Sequence, residues 1–148
     1  MKYQNNPLNI RYLPSNSWVG QTTPKQGFCQ FDTLEHGIRA AVILICRSYR
    51  NKGIIKVSDI IKRFAPPFEN DTLGYIQSVC KLCPYLKPDS DLQLPIHYAY
   101  LITAMSFMET GTRNGVTFDI VYYIVSSILK PDQYEVKEID FGQDSQIF

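Results

Sequence analysis

The sequence predicts a mainly α domain with a short β-hairpin at its N-terminal end, and three observations carry that reading. From about residue 32 to residue 130 apolar residues recur at helical spacing. Two apolar runs, Ala40 to Cys46 and Tyr98 to Met108, are broken so little that their helices must be covered on every side. Residues 1–31 instead carry turn formers, at Asn5-Asn6-Pro7, Pro14-Ser15-Asn16, Gly20, Pro24 and Gly27. The expected organisation is a single domain over 1–130, with a loop and hairpin segment over 1–31, helices over 32–130, and a polar tail over 131–148.

Each element has its own signal. In the first segment the short pieces Ile10 to Leu13 and Phe28 to Phe31 suit two short strands. Asp32, with Glu35 three places on, resembles a capping box and starts the first helix. Gly53 ends it. Val57, Ile60, Ile61 and Phe64 define a short second helix that stops at Pro66-Pro67. Asn70 or Asp71 suits the cap of a third, with Leu73, Ile76, Val79, Cys80 and Cys83 on one stripe. A polar linker, Pro84 to Gln93, follows. Pro95 fits the first turn of a fourth helix that closes at Glu109-Thr110-Gly111. Phe118 to Leu129 make the last, ahead of Pro131 and a tail with one short strand.

Composition excludes several function classes. Fifteen basic residues stand against fourteen acidic ones among 148, a formal charge of +1, so no global field draws the chain to nucleic acid or to an anionic membrane. No apolar stretch is long enough to span a bilayer, and the start lacks the apolar core of a secretory signal, so the chain is expected to be made in the cytoplasm. The four cysteines read as free thiols. Cys80 and Cys83 form a C-x-x-C pair without a second pair to complete a zinc site, and burial on one helix face accounts for their spacing. His36 and His97 stand alone. No metal and no cofactor is expected, and no phosphate-cradling glycine loop is present.

Among the acids Glu109 stands out, because it ends a buried helix just before a turn. A carboxyl at the edge of a core is desolvated, which raises its pKa toward the range a general acid needs. Glu35 and Glu69 read more simply as helix-start or loop charges. Trp18, the one tryptophan, lies in the loop-rich segment beside Asn6, Asn9, Arg11 and Gln21. An aromatic ring among amide and guanidinium donors suits a glycan or a peptide, although the ring also suits plugging the core and the asparagines also suit turns.

Taken in order, Asn5-Asn6-Pro7-Leu8-Asn9-Ile10-Arg11, Trp18-x-Gly20, Gly27-Phe28-x-x-Phe31, Gly37-Ile38-Arg39-Ala40 and Ala65-Pro66-Pro67-x-Glu69-Asn70-x-Thr72-x-x-Tyr75 resemble a group of small phage and prophage virion proteins over about residues 5 to 111. Phe64 departs from that group, where Trp commonly precedes Ala-Pro-Pro. The group is distantly similar to lysozyme-like peptidoglycan glycosidases, in which a catalytic Glu ends a buried helix, as in Glu109-Thr110-Gly111. The match requires a circularly permuted order, since here the helix follows the hairpin. The resemblance implies a lysozyme-like fold, peptidoglycan glycan as substrate, other virion proteins as partners, no nucleic acid and no membrane insertion. It implies Glu109 as the catalytic acid and Asn6, Asn9, Arg11, Trp18, Glu35, Asn70, Thr72 and Tyr75 as substrate-binding residues. A non-catalytic virion structural or assembly protein and a prophage-derived protein-interaction module remain the alternatives.

Overall fold

A computed structural model describes residues 1–111 and 114–130. The expected tail over 131–148, with its short strand, and residues 112–113 of the turn before the last helix lie outside the described residues. Among the described residues five α-helices follow the N-terminal segment: α1 (Leu34–Ile43), α2 (Val57–Phe64), α3 (Thr72–Leu82), α4 (Pro95–Thr110) and α5 (Phe118–Ile128). A π-helical segment, Leu44–Tyr49, continues α1.

The two apolar runs form the centre. Ala40, Ala41, Val42 and Ile45 of the first and Tyr98, Ala99, Leu101, Ile102 and Met105 of the second are buried in one continuous core. α4 packs against α5 and α3, α1 packs against α5, and α2 packs against α3. Pro95 stands at the first position of α4, and Gly111 ends it in the left-handed conformation at φ 72°. Removing that apolar surface from water, at about 25 cal/mol per Å², is the main force holding these helices together.

Three local expectations are corrected. The cap of α1 is Thr33, whose hydroxyl accepts from the His36 N–H at 3.2 Å. Asp32 instead meets His36 Nδ1 at 2.6 Å, which spends its carboxylate on a side chain. On α3, Asp71 provides the cap by accepting from the Gly74 N–H, and Leu73 points outward at 67% exposure while Ile76, Val79 and Cys83 face the core. The linker between α3 and α4 is docked rather than free: Leu86 and Leu92 are buried, and Ser90 accepts from the Val57 N–H at 2.9 Å.

The N-terminal segment doubles back without forming a strand among the described residues. Its pairing is reduced to isolated antiparallel bridges, Arg11 with Phe28, Gln21 with Phe31 and Lys25 with Phe28. Positive φ at Asn5, Asn9, Gly20, Gln26 and Gly27 interrupts every extended run before a ladder develops. The Asn6 side chain replaces that ladder. Fully buried, it accepts from the Ile10 N–H at 2.9 Å and donates to Ile10 O at 3.1 Å and Cys29 O at 2.8 Å. Gly37 seats the segment on α1, since a Cβ there would lie 1.6 Å from the Asn5 carbonyl oxygen.

Candidate functional site

The folded segment, the end of α2 with the loop after it, and the last turn of α4 enclose a cleft of about 570 Å³. Asn9, Arg11 and Trp18 line it from the segment, Phe64, Glu69 and Asn70 from α2 and its loop, and Glu109 from α4. The opening phrase of the sequence thus meets a carboxyl 100 residues downstream. A direct hydrogen bond makes the join, because Asn9 Nδ2 donates to Glu109 Oε1 at 3.2 Å and also lies 3.2 Å from the Glu109 carbonyl oxygen. Asn9 holds φ at 50°, a left-handed conformation that asparagine tolerates better than most residues.

Glu109 is half-buried, and burial pushes its carboxyl pKa above the ordinary glutamate value. Tyr75 and Asn9 pull it back down in part. Tyr75 reaches the carboxyl from α3. Its hydroxyl is buried and meets no partner in ordinary hydrogen-bond geometry among the described residues, yet it lies near enough to the carboxyl that each group shifts the other's pKa. Burial first, and then the Glu109 charge, drives the phenol pKa far up. The acid therefore has one oxygen fixed by an amide and a phenol poised beside it, in a pocket that favours the protonated form.

Around this group the walls are aromatic and charged. Arg11 lies 5.1 Å above the Phe28 ring, which stacks on Tyr3 at 4.3 Å. Arg11 also meets Glu69 across the cleft at 3.9 Å; both side chains are largely exposed, so the pair adds little stability. Trp18 packs on the core and also lines the cleft, with Nε1 buried and unpartnered among the described residues. Phe64, the departure from the resembled pattern, also lines the cleft and meets Tyr75 edge-on at 6.5 Å.

The structure brings together Glu109, Asn9, Arg11, Trp18, Asn70 and, behind the carboxyl, Tyr75. It separates three others from them. Asn6 is spent on backbone groups inside the segment and exposes no atom to a ligand. Thr72 is buried and donates to the Ala65 carbonyl, which ties the start of α3 to the end of α2. Glu35 lies exposed on α1 beside a separate hollow with His36, Arg39 and Tyr123. Asn70 donates to Pro66 O at 3.2 Å and lines the cleft. Glu69 is the residue that sequence reasoning passed over. Read alone it is one more loop charge; its place in the Ala65-Pro66-Pro67-x-Glu69 phrase, next to Asn70, was the signal available.

Among the described residues no helix is long and apolar enough to cross a membrane. No family model matches the chain. It is 36% identical over 120 residues to "Protein P5" of Pseudoalteromonas phage PM2, an alignment covering 78% of this chain and 72% of the relative. With that much of both sequences in register, the chain belongs to the family of this phage protein.

Proposed function

We propose that the chain is a virion-associated, lysozyme-like phage protein that binds and cleaves the glycan strands of peptidoglycan, with Glu109 as general acid. The observation that carries this reading is the convergence of a half-buried carboxyl of raised pKa with Asn9, Arg11 and Trp18 in one cleft. Protonated Glu109 gives its proton to the glycosidic oxygen as the bond to the anomeric carbon breaks, and the leaving sugar departs as an alcohol. Glu69 supplies the second carboxylate from the same cleft. Paired with Arg11, it takes a proton from the attacking water, whose oxygen bonds to the anomeric carbon. Trp18 offers an apolar face to the sugar ring, and Asn70 offers amide groups to its hydroxyls. The test is release of reducing ends from purified sacculi, with mass spectrometry of the fragments. Soluble muropeptides with free reducing ends support the reading, and sacculi left intact from several bacterial hosts count against it.

The second reading, a non-catalytic virion component, is favoured by a different feature. An uncharged groove of about 410 Å³ runs between the end of α3, α4 and α5, with Tyr85 and Phe107 exposed at its edge. Apolar surface of this kind suits assembly contacts. It predicts that the protein is inert on every wall tested.

A further inference from the structure

The cleft gathers three cations and two carboxyl groups, and only one cation–carboxyl pair forms between them among the described residues. Fifteen basic and fourteen acidic residues nearly cancel over the sequence. In the cleft, Lys2, Arg11 and Arg63 face Glu69 and Glu109. Arg11 is matched by Glu69 at 3.9 Å. The hydrogen bond to the Glu109 side chain comes from an uncharged amide, and the group beside it is an uncharged phenol. Two cations are left over. Lys2 rests over the Tyr3 ring at 5.7 Å, and Arg63 makes no ion pair or hydrogen bond among the described residues. Burial raises the pKa of Tyr49, another lining residue, and the Arg63 charge nearby offsets that rise in part.

We propose that Lys2 and Arg63 form an anion subsite for the carboxylates of the peptide stems on peptidoglycan, so that the cleft selects stem-bearing glycan over neutral glycan. The inference rests on the wall-binding reading above and names the part of the polymer that the cleft recognises. A guanidinium fork matches a carboxylate with two parallel hydrogen bonds, and an ammonium nearby adds a mobile point charge. Among the described residues Arg63 has no ion pair or hydrogen bond to give up when an anion arrives, and Lys2 gives up only its contact with the Tyr3 ring. A nucleic acid fits less well. Its affinity is built from many phosphate contacts, whereas this cleft offers two cations without an ion pair among the described residues and places two carboxyl groups beside them.

The test is cosedimentation of the Glu109→Gln protein, which leaves the polymer uncut, with three insoluble probes. They are untreated sacculi, sacculi whose carboxylates have been converted to neutral amides with carbodiimide and ethanolamine, and chitin. Amidation is expected to weaken binding roughly fivefold, the range of two exposed charge contacts, with the difference fading at high salt. Lys2→Gln combined with Arg63→Gln is expected to bind untreated and amidated sacculi alike. Both side chains are exposed, so the double variant should keep its melting temperature. Equal binding of Glu109→Gln to untreated and amidated sacculi overturns the subsite and leaves the wall reading standing. Failure to bind any of the three probes removes both. Tighter binding to a single-stranded polynucleotide than to untreated sacculi overturns the subsite in favour of nucleic acid.

Discussion

Replacing Asn6 with alanine separates a structural asparagine from a ligand-binding one, and the cost follows from its three hydrogen bonds. The Ile10 N–H loses its acceptor at 2.9 Å and the Cys29 carbonyl loses its donor at 2.8 Å. The Ile10 carbonyl keeps a second partner, the Cys29 N–H at 2.9 Å. Two buried backbone groups are thus orphaned, at about 1–3 kcal/mol each, which places the loss near 4 kcal/mol. That is a large share of the roughly 5–15 kcal/mol that holds a domain of this size folded. Urea unfolding at neutral pH measures it directly, with the slope checked to confirm that the same surface is exposed. Asn6→Asp should be no better, because it retains an acceptor for Ile10 but sets a carboxylate against two carbonyl oxygens. Arg11→Gln, an exposed change in the cleft, should alter stability by less than about 0.5 kcal/mol. A loss below about 1 kcal/mol for Asn6→Ala would show that the segment is not held by this side chain.

Other outcomes follow from the same geometry. Burial raises the Glu109 pKa, so the native state keeps that proton to higher pH than the unfolded chain does, and stability falls as pH climbs from about 4.3 through the folded value. Glu109→Gln keeps an acceptor for Asn9 and removes the titration, so its stability relative to the parent should rise over that window; the opposite trend in urea midpoints would contradict the assignment. Tyr75→Phe deletes a buried hydroxyl that meets no partner in ordinary hydrogen-bond geometry among the described residues, and should leave the melting temperature within a few degrees. Because the phenol holds the Glu109 pKa down, the variant should titrate Glu109 at higher pH, read by carbon-13 NMR of the carboxyl, and an unchanged titration refutes the coupling. Gly37→Ala pushes a Cβ onto the Asn5 carbonyl oxygen and should lower stability by about 3 kcal/mol, seen as a drop in melting temperature.

The helices were legible because period and caps agreed. Pro95 and Gly111 bracket α4 where the sequence places them, and the run from Ala40 onward had only one place to go, the centre. The N-terminal segment was legible as loop-rich but not as to how it closes. Turn residues and short apolar pieces suggest a hairpin, whereas the closure depends on one buried amide that bonds residues 4 and 23 positions away. For the same reason Asn6 and Asn9, three residues apart in one phrase, could not be told apart: one faces inward to backbone, the other reaches Glu109. The shift of the α1 cap from Asp32 to Thr33 turns on a histidine one helical turn away, a competition that capping rules do not weigh. Glu109 was singled out from its place at the end of a buried run. Glu69 and Arg63 were passed over, because an exposed loop charge acquires meaning only when its neighbours across the cleft are known.

The account turns on whether the carboxyl that joins the opening segment to α4 does chemistry. The most direct measurement is release of reducing ends from sacculi by the parent protein and by Glu109→Gln, at equal concentration and with melting temperatures compared. The account predicts steady release by the parent, a loss of at least about a hundredfold in the variant, the scale of removing a general acid, and no fall in melting temperature. Equal release by the two proteins would contradict Glu109 as the acid, and no release by either would return the protein to the structural reading.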